Sequence, residues 1–351
     1  MNPDTPLSPR PLHHLSDVRT RVLTSRQLRE HGVPGAAVTE RCRPGGPWQQ
    51  LLPGVFLLRT GPATSEERLH AALLYTVPRT QGPPAQAGPG TATAAARAAA
   101  GDPYGEAMIT GPAALALHRF TSVPPLLSLD RIDVLVPRTR RLRTTGFVRL
   151  VRAPALPRAG RLTGIPVAPV PRAVADTVAL LTDAAAVRRV LTEAVRGGHC
   201  EAAAVVRELT RARLLGRAHV TEAVDALLTE SRAVAEGRLY DLVREHRLPA
   251  PLWNVDLRLP GGPHLGRVDA FWPEHSVALE IDSRAPREDD EALWSEQYRK
   301  REHLERLGIT VVHVTPKKLR DTPEQQAAVV RTALMASADR DPAAYLVVLP
   351  R

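Results

Sequence analysis

The run from Ser276 to Asp282 constrains the fold of this chain more than any other stretch. Val277, Leu279 and Ile281 alternate there with Ala278, Glu280 and Asp282. A period of two is the mark of a strand with one apolar face, so Glu280 and Asp282 leave it on the same side. Arg267 to Trp272 is a second strand-like run, joined to the first by Pro273 to His275, a connection that suits a hairpin. Asp269 lies inside it. Antiparallel pairing sets Asp269 across from Glu280 and brings three acids within reach of one divalent ion. Carboxylates so placed repel each other, and Mg2+ relieves the conflict by binding one or two of them while keeping its remaining waters. Phosphodiester cleavage by metal-activated water uses that logic. The alternative reading is an ion-pair cluster with Arg267, Arg299 or Arg301, because an unpaired charge in an apolar strand is costly.

The flanking text has a regular order. Ala233 to His246 reads as a helix with Leu239 and Leu242 on one face, and Trp253 to Leu259 as a first strand. Behind the hairpin, Glu288 to Leu307 reads as an exposed helix with Leu293, Tyr298, Leu304 and Leu307 inward and Gly308 as its stop. Ile309 to Val314 is a buried strand by its β-branched apolar content, and Pro323 to Ser337 a last helix. Helix, three strands, helix, strand, helix, with acids on the second and third strands, resembles the PD-(D/E)XK nuclease fold. More narrowly it is similar to relatives of the very-short-patch repair endonucleases, over about Ser231 to Leu334. The resemblance implies that Asp269 is the metal-binding aspartate and Glu280 the second acid, with Mg2+ or Mn2+ as the cofactor. By the same implication Asp282 is the residue two further on and Glu236 the glutamate of the first helix.

Two departures stand out. Asp282 occupies the position of the family's lysine, and the histidine that the repair-type relatives carry a few residues later is absent from Ser283 to Arg287. Of 47 basic residues only Lys300, Lys317 and Lys318 are lysines. Lys300 has two readings, a solvated or carboxylate-paired helix lysine or a migrated catalytic lysine.

The text near the start of the chain is of another kind. Thr24 or Ser25 caps a helix running to His31, Gly32 ends it, and Pro34 to Cys42 forms a second helix. Two short helices around a glycine turn make a helix-turn-helix pattern. Trp48 to Arg59, WQQLLPGVFLLR, then supplies strand, Pro-Gly turn and strand. TSRQLREHGVPGAAVTERC followed by LLPGVFLL resembles the N-terminal winged helix of AbiEi-type antitoxins, regulators of type IV toxin-antitoxin systems, over about Leu23 to Gly61. The resemblance implies binding to double-stranded DNA through a recognition helix near Gly35 to Arg43, with Thr39, Arg41 and Arg43 as contacts, and a cognate toxin as a further partner. Arg41 and Arg43 also suit a plain helix end, where cations favour the dipole.

Between these ends, Glu66 to Val77 reads as a helix and 78–107 as a flexible insert of proline, glycine and alanine. Met108 to Phe120 reads as a helix entered through Gly111 and Pro112. Asp133 to Pro137 and Phe147 to Arg152 are strands bracketing a basic hairpin tip, Arg138, Arg140, Arg141 and Arg143, either a phosphate contact or a solvated turn. The segment from Ile165, IPVAPVPRAVADTVALL, again resembles the AbiEi middle region, and Arg172 with Asp176 reads as a structural pair one helical turn apart. Val187 to Val195, Ala202 to Leu215 and Val220 to Leu228 are three further helices. His199 beside Cys200 reads as a loop pair, since two ligands do not close a metal site.

A net charge of +10 and a pI near 10.4 point to an anionic partner, nucleic acid first. Cys42 and Cys200 are too few and too far apart for a disulfide framework. No secretory signal opens the text and no apolar run has membrane-spanning length, so a cytoplasmic protein away from membranes is expected. The expected class is an α+β multidomain chain: a winged helix at 19–77 after a disordered 1–18, a mixed α/β middle region at 108–228, and a restriction-endonuclease-like α/β domain at 229–338 with a tail at 339–351. The expected function is DNA-binding transcriptional regulation, with an endonuclease-like domain that either serves binding or retains weak metal-dependent cleavage. The alternative is an active Mg2+-dependent DNA endonuclease targeted by its winged helix.

Overall fold

Eleven helices and three sheets make up a mixed α+β chain in the computed structural model, which describes residues 21–77, 103–261, 264–282, 291–337 and 346–350. The expected disordered start, most of the proline-rich insert and Ser283 to Arg287 lie outside the described residues. Contacts divide the chain into two compact units, Met1–Thr182 and Asp183–Arg351. The helical stretch of 184–228 belongs with the second. No described helix is long and apolar enough to cross a membrane.

In the first unit β1 (Val22–Thr24) leads into α1 (Ser25–Glu30), whose N-cap Thr24 and Gln27 form a reciprocal capping box. Gly32 turns the chain at φ 78° and α2 (Gly35–Arg41) follows. β2 (Gln49–Leu52) and β3 (Val55–Leu57) complete an antiparallel sheet in the order β1-β3-β2, with Gly54 at φ 79° in the turn. Leu28, Val38, Trp48 and Phe56 close a small core between helices and sheet. α3 (Ser65–Thr76) starts on a second capping box, between Thr64 and Glu67.

The rest of this unit is a five-stranded sheet in the order β6-β5-β4-β8-β7, built from β4 (Met108–Thr110), β5 (Ile132–Pro137), β6 (Val148–Ala153), β7 (Gly160–Leu162) and β8 (Ile165–Val167). Met108 to Thr110 is therefore a strand, and α4 (Gly111–Leu117) begins only after it. Propensity misleads here, because a short apolar run beside a glycine reads equally as buried strand or helix. The expected basic hairpin is not one. β5 and β6 pair in parallel, Ile132 with Val148 through Pro137 with Ala153. Parallel neighbours need a returning connection, and 138–147 supplies it by running back beside the edge strand β6. α5 (Val170–Val178) ends the unit.

The second unit opens with α6 (Ala184–Arg196) and α7 (Ala202–Arg211). Next comes α8, a 28-residue helix from Ala218 to Glu245. The sequence reading broke it in two near Ser231, where the buried positions lapse; no glycine or proline interrupts it there, and nothing forces a break. Its first half buries Val220, Val224 and Leu227, its second Ala235, Leu239 and Leu242. The sheet follows in the order β12-β11-β10-β9-β13: β9 (Leu252–Arg258), β10 (His264–Trp272), β11 (Val277–Ile281), β12 (Thr310–Val314) and β13 (Val347–Pro350), the last in a segment read as a tail. α9 (Glu291–Arg306), α10 (Pro316–Asp321) and α11 (Pro323–Ser337) are interleaved with the later strands.

Two cores sandwich this sheet. Val277, Leu279 and Ile281 join α8, α10 and α11 in one, and Ala278 joins Leu304 of α9 in the other. The alternation expected of β11 is the one observed. Tyr298 is not inward as expected but 70 % exposed, while Leu304 is fully buried.

Candidate functional site

β10 and β11 pair antiparallel as Trp272 with Val277, Phe271 with Ala278 and Ala270 with Leu279. One step further in that register Asp269 faces Glu280, but the ladder stops. The Ile281 amide, which a continued ladder would turn toward β10, donates instead to Asp269 Oδ2 at 2.7 Å. The strands thus separate at the two acids. Asp269 is buried, and its other oxygen accepts from Arg232 Nη2 of α8 at 2.5 Å. Arg232 Nε donates to Glu236 Oε1 at 2.8 Å, one turn along the helix. Asp269 and Glu236 are therefore joined through an arginine.

Glu280 Oε1 meets Lys300 Nζ of α9 at 2.5 Å. The ammonium also donates to the Arg267 carbonyl at 2.6 Å. Lys300 reaches it by lying across Gly266, at φ 128°, where a Cβ would stand 2.3 Å from Lys300 Cε. A glycine inside a strand marks a close approach of this sort. His313, the register partner of Glu280 on β12, brings Nδ1 to 3.9 Å from Glu280 Oε2. Asp282 is exposed just beyond β11, its amide bonded to the Val314 carbonyl.

Lys300 and Glu280 are thus brought together, and Glu236 and Asp269 are linked, but the arginines named as partners in the sequence reading are not the ones used. Arg267 bonds Asn254 Oδ1 at 3.1 Å, and Arg301 pairs with Glu305 at 2.7 Å. Arg232 was missed, although it stands four residues before Glu236, the spacing of a helical ion pair. His313 was missed because a parallel register has no local trace in sequence. Among the described residues no three His, Cys, Asp or Glu side chains gather where they would hold a metal. With both Asp269 oxygens bonded and one Glu280 oxygen on Lys300, a divalent ion here would have to displace a cation of the chain.

The basic positions of the first unit fall into two groups. On α2, Thr39 is exposed and its hydroxyl donates to the Gly35 carbonyl at 3.1 Å. Arg43 is exposed and pairs with Glu40 at 2.9 Å. Arg41 stacks over the Trp48 ring, its Cζ 4.7 Å from the centroid, and its Nη1 is buried with no hydrogen-bond partner among the described residues. That side chain packs the helix onto the sheet.

The second group sits on the 138–147 connection. Arg152 of β6 donates to the carbonyls of Arg140 and Leu142, and the Tyr75 hydroxyl to that of Arg143 at 2.8 Å. The backbone is pinned to the sheet edge. Arg138, Arg141 and Arg143 are exposed and Arg140 half-buried, and among the described residues none of the four pairs with a carboxylate. Charge on an edge strand also discourages pairing with another chain. Inside the same unit, Arg149 forks onto buried Asp133, and Asp176 accepts from Thr110 Oγ1 at 2.6 Å and Arg172 Nε at 2.9 Å. Arg172 with Asp176 is the pair expected.

No protein-family model matches this chain, and no curated protein matches it either.

Proposed function

We propose that this chain is a DNA-binding transcriptional regulator of the AbiEi-antitoxin kind, cytoplasmic, with double-stranded DNA as its partner and a cognate toxin as a second. In this reading α1, α2 and the β2–β3 hairpin act as a winged helix, with Thr39 and Arg43 turned toward DNA and Arg41 holding the helix on Trp48. The carrying observation is the arginine-lined connection Arg138, Arg140, Arg141 and Arg143, fixed through its backbone while its side chains pair with no carboxylate among the described residues. Cations so presented neutralise phosphates without reading sequence. The C-terminal unit resembles a PD-(D/E)XK nuclease fold serving binding. A gel shift of upstream DNA, run with and without EDTA, tests the reading: a salt-sensitive complex that survives EDTA is expected, and no complex at low salt would sink it.

The second reading is a Mg2+-dependent DNA endonuclease built on Asp269, Glu280, Asp282 and Glu236 with Lys300. One observation favours it, the Lys300 ammonium on Glu280 where β10 and β11 part. Plasmid nicking in Mg2+ or Mn2+ that is lost in both Asp269→Ala and Glu280→Ala would establish it over the first.

A further inference from the structure

A divalent ion held between β10 and β11 needs carboxylates with free oxygens aimed at one point. It also needs room for water, because a small hard cation keeps several of its own. The acids here have oxygens already committed to cations and an amide of the chain. Asp269 is 5 % exposed. One of its oxygens is on the Arg232 guanidinium at 2.5 Å and the other on the Ile281 amide at 2.7 Å. Arg232 is itself steered by Glu236 at 2.8 Å. Glu280 is on Lys300 at 2.5 Å, and that lysine is anchored by the Arg267 carbonyl at 2.6 Å. Each acid that the nuclease resemblance would assign to a metal is paired with a cation of the chain itself. Together Arg232 and Lys300 bring the charge of one divalent ion.

The geometry points to Arg232 as a resident cation standing, in place and charge, for a divalent ion, so that the C-terminal unit of the wild-type chain is metal-independent. This deepens the reading of that unit as a binding module. Charge-assisted bonds of this length to a nearly buried carboxylate are strong. An incoming ion would have to displace the guanidinium from Asp269 and leave Arg232 with Glu236 alone. Arg232 and a metal ion therefore compete for Asp269, and removing the arginine uncovers a latent ion site.

The test is Mn2+ titration of the full chain followed by the electron paramagnetic resonance of free Mn2+. Wild type is expected to take up none in saturable fashion. Arg232→Gln, shown folded by its melting transition, is expected to take up one ion in saturable fashion, and to lose it again when Glu280→Gln is added. Saturable uptake by wild type that Glu280→Gln abolishes overturns the inference, and so does a folded Arg232→Gln that binds nothing. A second arm needs no variant. The Ile281 amide, bonded to Asp269, reports directly in an 15N-labelled wild-type sample: a signal unbroadened by Mn2+ supports the inference, and selective broadening overturns it. Failure of the gel shift would sink the regulator and leave this result standing, whereas Mn2+ uptake by wild type would sink only the resident arginine.

Discussion

Gly266 and Lys300 show how one missing side chain shapes the neighbourhood of Glu280. A Cβ at position 266 would meet Lys300 Cε at 2.3 Å and would have to exist at φ 128°. Gly266→Ala is expected to cost about 1–3 kcal/mol from backbone strain and crowding. Part of that cost should vanish when Lys300→Ala is present, and a urea double-mutant cycle with no coupling would refute the contact. Two buried acids of the first unit carry opposite pH signatures. Burial pushes the Asp133 carboxyl up, and Arg149 does not fully offset it, with Asp176 adding repulsion. A raised carboxyl stabilises the fold below its unfolded value, near ~3.9, and that contribution is lost as pH rises through the raised value. Burial pushes Glu67 up too, but Arg59 and the Thr64 amide outweigh it and hold it below the usual range. Its contribution is full above about 4.3 and is lost as pH falls through the lowered value. Urea midpoints across the acid range should therefore lose one slope in Asp133→Asn and the opposite slope in Glu67→Gln. Arg149→Ala should cost about 3 kcal/mol, the low end for breaking a buried pair, because Arg149 is 28 % exposed.

At the scale of elements, α8 links two packing regions of the second unit through one backbone, and Arg232 at its middle ties it to Asp269. Ala233→Pro, at an exposed helical position, removes a hydrogen bond and adds a clash, for a cost of about 3 kcal/mol or more. A single cooperative unfolding transition at a lower midpoint is expected in denaturant for the second unit; an unchanged midpoint would show two helices rather than one. The order of helices and strands around β11 was legible because period-two alternation and glycine stops are local signals. Other features were not. Met108–Thr110 and Val347–Pro350 are strands through the partners they meet, and the direction of β6 beside β5 depends on how 138–147 returns. Neither partner nor direction leaves a local trace.

At the scale of the molecule, the net charge of +10 acts through where it is unpaired. If the four arginines of 138–143 meet phosphates, each contributes about 0.9 to the slope of log affinity against log salt. Replacing all four by serine should then flatten the slope by about 3 to 4, while Arg43→Ala should change sequence preference more than slope. An unchanged slope in the quadruple variant would place the contacts elsewhere. The sequence by itself determined what rests on local physics: a helix start at Thr24 or Ser25, the amphipathic faces, the alternation that puts Glu280 opposite a buried face, and the basic balance. Only the tertiary structure decided which charge meets which. Arg232 lies 37 residues from Asp269 and Lys300 lies 33 from the Arg267 carbonyl, and pairing across such separations is set by strand register and helix docking, which act between segments and are written in neither alone.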